Sequence, residues 1–192
     1  MLQAEKTDRT HRELCKAAFT LFTERGFDHT GIADIVALAG YSTGAFYRHF
    51  KTKSDILQEL WSAFSEDFIS DSIAGARKTG SLQEAMDYLV RRSREYYSHP
   101  MTLCYLRAGG IQDKQPGQHR IPTGARDFTN MLFDLLQREY PNGDEARLRT
   151  FASALHAVIN AYSASDLLQQ DFCFEEHATK EILLLLAEQA GR

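Results

Sequence analysis

Residues 30–57 read T-G-I-A-D-I-V-A-L-A-G-Y-S-T-G-A-F-Y-R-H-F-K-T-K-S-D-I-L, and the fold turns on how this stretch is read. Ile32, Ile35, Val36 and Ala39 recur at helical spacing, so they form one apolar face of a short helix. Thr30 can cap its start and Gly40 can end it. Only Gly40, Tyr41 and Ser42 separate it from a second short helix, predicted over Thr43–His49, with Phe46 and Phe50 one turn apart on its inner side. Thr52 and Asp55 then have capping-box spacing for a longer helix. Two short helices joined by a tight turn containing glycine make a helix-turn-helix.

That geometry implies a use. A recognition helix needs a buried apolar face to fix its angle and a small, polar outer face that can approach base edges. Phe46 and Phe50 fit the first requirement. Ser42, Thr43, Gly44 and Ala45, flanked by Tyr47, Arg48 and His49, fit the second. A hydroxyl at Ser42 also suits the cap of a helix whose free N–H groups favour phosphate.

Outward from this stretch the chain reads as helix nearly throughout. Upstream, Leu14, Ala17, Ala18, Leu21 and Phe22 form one face of a helix that Gly26 stops. Its start is open between a capping box at Thr10/Glu13 and caps at Thr7 or Asp8. Downstream, Leu57, Leu60, Trp61, Phe64 and Phe68 mark a long helix reaching about Ala76, with no Gly-, Ser- or Pro-rich linker before it. Further helices are predicted near Ser81–Ser98, Met101–Ala108, Ala125–Tyr140, Asp144–Leu168 and Phe174–Gln189, with a long loop over Gly109–Gly124. The expected fold is therefore all-α: a three-helix head at 1–53, joined by a long helix to an all-helical body at 54–192.

Composition agrees with a folded, water-exposed chain, at 43% hydrophobic and 25% charged residues. No run approaches the roughly 18 apolar residues of a membrane span, and Met1–Thr10 does not read as a secretory signal. Cys15, Cys104 and Cys173 are odd in number and far apart, as expected of reduced thiols in the cytoplasm. The formal charge of −4 is uneven. Residues 1–53 carry eight Lys/Arg against six Asp/Glu, a net +2, which leaves −6 on the rest. A modestly basic head can neutralise phosphates locally.

The segment from Leu14 to Leu57 closely resembles the DNA-binding head of the TetR family of repressors, through Ala18, Phe22, Gly26, Thr30, Ile35, Ala39-Gly40, Ser42, Gly44, Tyr47, His49-Phe50 and Lys53. The resemblance implies that Thr30 caps its helix and touches phosphate, and that Tyr47, His49 and Lys53 grip phosphates. Ser42, Thr43, Gly44, Ala45 and Arg48 are then placed on or beside the bases. Two positions depart from the family pattern: Gly31 stands where a Thr or other polar residue is common, and Thr43 where a basic or polar one is.

One short helix reads only a few base pairs, so a dimer on a palindromic operator is expected, with half-sites about 34–36 Å apart or multiples of that. Ile182–Leu186 run around the last helix, and Ala154, Ala157, Ala161 and Ala164 line one side of the helix before it. The expected interface contains Ala157, Ala161, Leu168, Leu183 and Leu186. Aromatic residues crowd the middle of the chain, and an aromatic stripe is more often core than pocket. The resemblance implies a pocket for a small apolar or aromatic effector, with Phe64, Phe68, Tyr97, Tyr105, Phe128, His156 and Asn160 as candidate lining and Arg107 as a further polar candidate.

Catalysis is not expected. The chain has no Gly-rich phosphate loop, no G-x-S-x-G, and no H-x-x-x-H or C-x-x-C pair; no metal site and no cofactor beyond the effector are predicted. The competing reading is a helical adaptor that binds protein rather than DNA.

Overall fold

A computed structural model describes residues 2–109, 123–165 and 176–191. The described residues form nine helices and no strand: α1 (Leu2–Arg25), α2 (Ile32–Ala39), α3 (Thr43–Tyr47), α4 (Lys53–Arg77), α5 (Leu82–Ser98), α6 (Pro100–Arg107), α7 (Thr123–Glu139), α8 (Glu145–Ser165) and α9 (Glu176–Ala190). The all-α expectation is met. Of the loop predicted over Gly109–Gly124, residues 110–122 lie outside the described residues and Gly124 falls in α7; the predicted helix end at Leu168 and the predicted helix start at Phe174 also lie outside them.

The chain parts into two compact units at a place other than the expected 53/54 boundary. One holds α1–α3, the beginning of α4 and α6; the other holds the rest of α4 with α5 and α7–α9. The reason is α6, whose Met101, Cys104 and Tyr105 are buried in the same core as Leu14, Phe22, Ile35, Phe46 and Phe50. A core of that size is what a 53-residue piece lacks when its surface is large relative to its interior.

Local chemistry explains the helix ends of the first unit. Gly26 and Gly40 take left-handed backbone (φ 84° and 74°), which only glycine adopts without strain, and so end α1 and α2 as expected. Thr52 and Asp55 make the reciprocal capping box: the Thr52 N–H donates to Asp55 Oδ2 at 2.8 Å and the Asp55 N–H to Thr52 Oγ1 at 3.1 Å. Two starts differ from expectation. α1 begins at Leu2, because nothing from Gln3 to Arg9 breaks a helix, and Thr10 is a buried mid-helix residue instead of a cap. α2 is capped at Gly31, whose N–H donates to Asp34 Oδ2 at 2.7 Å, and not at Thr30.

The second unit packs α5, α7, α8 and α9 around Met86, Leu89, Met131, Leu132, Leu136, Leu148, Leu155, Ile159 and Leu183. These residues fall at 3–4-residue spacing on their helices, and their burial is the main stabilising term of the unit.

Candidate nucleic-acid interface

α3 is one and a half turns long, shorter than predicted, and is held from both sides. On its inner side Phe46 is 0% exposed and Phe50 4%, with ring centres 5.6 Å apart. At its start the Ser42 side chain accepts from the Ala45 N–H at 3.3 Å, so Ser42 is the cap the sequence suggests. What remains outside is Ser42, Thr43, Gly44, Tyr47 and Arg48, all exposed, with His49 half-buried beside them. Ala45 is the exception. It is 3% exposed and belongs to the core side, so its predicted place against the bases is corrected.

Two residues expected to touch phosphate are engaged inside the protein. Thr30 is 1% exposed, and its hydroxyl donates to the carbonyl of Gly26 at 2.8 Å, with the Leu21 carbonyl at 3.4 Å. It ties the end of α1 to the start of α2, neither capping α2 nor facing outward. Lys53 donates its ammonium to the carbonyls of Phe27 (2.6 Å) and Thr30 (2.9 Å), and lies over the Phe27 ring. A cation so satisfied orders the α1–α2 turn. Nothing in the sequence motif signalled Phe27 as its partner; only the fold brings residues 26 apart together.

His49 sits edge-on to His11 of α1, with ring centres 5.5 Å apart, and His11 in turn stacks on Phe50 at 5.0 Å. Burial first, then the neighbouring His11 and Arg48, hold the His49 imidazole below its usual pKa. It thus meets a neutral-pH partner as a hydrogen-bonding ring more than as a cation. On the other flank of His11, its Nε2 lies 2.6 Å from Glu59 Oε1 of α4, and the Cys15 thiol reaches the same oxygen at 3.8 Å. Burial and the Glu59 carboxylate push that thiol up to about 12. This cluster was missed in the sequence, although His11 and Cys15 are one helical turn apart.

The expected effector residues are divided between the two units. Phe64 and Tyr105 belong to the first unit, where Phe64 stacks on His99 (4.1 Å) and Tyr105 on Trp61 (4.0 Å). Phe68, Tyr97, Phe128, His156 and Asn160 belong to the second. There Phe68 lies under the Arg92 guanidinium at 3.8 Å and beside Tyr96, which also contacts Tyr97 and shares a 2.7 Å hydrogen bond with Ser65. His156 Nδ1 is 2.7 Å from the Thr129 hydroxyl, with Phe128 against its ring. Asn160 is exposed. A cavity of about 450 Å³ in this unit is lined by Glu66, Ile69, Ile73, Arg77, Asp127 and Asn130 among others, none of them an expected lining residue. A second, of about 390 Å³, lies in the first unit between the end of α1 and α6, where Cys104 and Arg107 line it.

Of the expected dimer residues, Ala157 and Ala161 are exposed on α8 and Leu186 is half-buried. Leu183 is 0% exposed inside its own unit's core, so it is unavailable to a partner, and the apolar side chain that α9 turns outward is Leu185, 59% exposed. Leu168 lies outside the described residues. No described helix is long and apolar enough to cross a membrane.

Comparison with known proteins agrees with this geometry. Residues 14–60 match the sequence profile of bacterial regulatory proteins of the tetR family. The regulator AcrR of Shigella flexneri is 35% identical over 57 residues, 30% of this chain and 26% of that protein. The activator FasR of Mycolicibacterium smegmatis is 24% identical over 155 residues, 79% of this chain and 69% of that protein. The chain thus aligns with only about a quarter of AcrR's length. Among solved structures, the transcriptional regulator FadR of Bacillus subtilis in complex with stearoyl-CoA superposes with a TM-score of 0.61 at 17% identity, covering 94% of this chain and 98% of that one. At that identity the likeness is one of fold.

Proposed function

We propose that this chain, whose residues 14–60 match the profile of bacterial regulatory proteins of the tetR family, is a ligand-responsive transcriptional regulator, a repressor that binds a palindromic operator as a homodimer. The observation that carries the reading is the two-sidedness of α3. Its rigid inner face of Phe46 and Phe50 is fully buried, while its outer face of Ser42, Thr43, Gly44, Tyr47 and Arg48 is open and made of small, polar and cationic side chains.

In this account Thr43, Gly44 and Arg48 meet base edges, Arg48 being the side chain able to make paired hydrogen bonds to guanine. Tyr47, His49 and Ser42 contact the sugar-phosphate backbone. Lys53 acts from behind, holding the α1–α2 turn in place. Dimerisation runs through the outer faces of α8 and α9, around Ala157, Ala161, Leu185 and Leu186. A small apolar or aromatic effector binds the body and favours the dimer that cannot hold DNA; only such differential affinity releases an operator. FadR, which shares the fold, is solved with stearoyl-CoA, a ligand whose acyl chain is apolar. FasR is named an activator, and the residues of the head serve activation as well as repression. The protein acts in the cytoplasm, and no catalytic step is required of it.

The test is a mobility-shift or anisotropy titration of the full chain against fragments of its home genome. The expected result is nanomolar binding to a small set of inverted repeats, weakening steeply with salt. Uniform weak binding to every fragment contradicts the reading.

A further inference from the structure

We propose that His11, Cys15 and Glu59 bind a transition-metal dication of the zinc class, clamping α1 to α4. His11 and Cys15 stand four residues apart on α1, one turn, and so share a face. Glu59 faces them from α4, and the ligating atoms of all three lie within 4.8 Å of one another. Among the described residues no other group of three such side chains comes together in this way.

A simple interhelical hydrogen bond needs two partners. Here two different atoms, His11 Nε2 at 2.6 Å and Cys15 Sγ at 3.8 Å, are aimed at the same oxygen, Glu59 Oε1. An imidazole, a thiol and a carboxylate are the three ligand types that zinc takes, at about 2.0–2.1, 2.3 and 2.0–2.2 Å. Tetrahedral ligation at those lengths sets ligand atoms roughly 3.3–3.8 Å apart. The separations to Glu59 Oε1, 2.6 Å from His11 Nε2 and 3.8 Å from Cys15 Sγ, lie below that range and at its upper end, and all three atoms are within 4.8 Å of one another.

Charge and access fit as well. A thiolate and a carboxylate neutralise a dication, which suits a half-buried place between helices, and the thiol proton leaves to solvent when the metal binds. Magnesium and calcium, which require oxygen ligands throughout, do not suit a sulfur and a nitrogen. The His11 and Glu59 side chains are 34% and 50% exposed, so an ion can enter and a water can take the fourth position. The His11 ring is held against Phe50 and beside His49, so its orientation is set before any metal arrives. Occupancy therefore fixes α1 against α4 directly behind a residue at the edge of the recognition surface.

The experiment uses the reduced, chelator-stripped full chain titrated with Co2+ and then Zn2+. One equivalent of Co2+ should produce a thiolate-to-cobalt charge-transfer absorption that Zn2+ displaces, and Zn2+ should raise the melting temperature. Cys15→Ser should abolish the band, while Cys104→Ser and Cys173→Ser retain it. Glu59→Gln and His11→Gln should each weaken affinity by at least about tenfold, the loss that removal of even an outer-sphere partner can cause. If Cys15→Ser fails to fold by circular dichroism, Glu59→Gln, on an exposed surface, carries the test by itself. The proposal is overturned by wild-type protein that gives no thiolate band. It is equally overturned by a band that survives Cys15→Ser, or by affinity unchanged in Glu59→Gln.

Discussion

Lys53 holds its ammonium 4.0 Å from the centre of the Phe27 ring and 2.6 Å from the Phe27 carbonyl oxygen. A residue whose motif position suggests a phosphate clamp is thus a brace for the turn that carries α2. Lys53→Ala should lower stability by about 1–3 kcal/mol, the sum expected for a part-buried cation–π contact and charged hydrogen bonds. Thermal melting should show this as a loss of several degrees. An unchanged melt would mean that the ammonium is free to serve phosphate alone.

Arg48 is the contrasting case, exposed and at the C-terminal end of α3. Arg48→Ala should leave the melt within about 0.5 kcal/mol of wild type, as surface changes generally do. It should cost about 1–3 kcal/mol of operator affinity and relax the preference at one base pair. Titrations against a panel of single-base operator variants measure both effects.

Much of this was legible in residues 30–57, and the reasons are local. Gly26, Gly40, Ser42 and the Thr52/Asp55 pair act on backbone a few residues away, so their positions in sequence are sufficient to place helix ends. Phe46 and Phe50 declare an inner face by their spacing. What escaped was non-local. That Thr30 turns inward to Gly26, that Ala45 falls on the core side, and that Lys53 finds Phe27 depend on how α1, α2 and α4 pack. In the body, a helix apolar on every side, as over Ile182–Leu186, does not say which leucine its own core takes. The structure gives Leu183 to the core and Leu185 to the surface.

That division makes the dimer testable. Leu183→Ala should destabilise the chain itself by about 2–5 kcal/mol, because it empties a fully buried site. Leu185→Glu should leave the fold intact and shift sedimentation from dimer to monomer at micromolar concentration. A dimer that tolerates Leu185→Glu moves the interface elsewhere.

Acid should weaken the body in a defined window. Burial holds His156 below its ordinary pKa of 6.5. The unfolded chain takes up that proton near pH 6.5, the folded chain only at lower pH. The stability of the neutral ring is therefore complete above the unfolded value and is lost as pH falls below it, until the folded ring also protonates. Denaturant midpoints at pH 7.5 and 5.5 should differ more for wild type than for His156→Gln; equal differences would contradict the assignment.

The most direct measurement of the central claim is operator affinity of Gly44→Glu. Gly44 is exposed on α3, and a Cβ added there meets only the Ser42 hydroxyl oxygen, at an ordinary 3.8 Å, so the fold accommodates the change. If the outer face of α3 enters the major groove, the added bulk and negative charge should abolish specific binding while the melting temperature stays within about two degrees of wild type. Unaltered operator affinity in a folded Gly44→Glu chain would contradict the account.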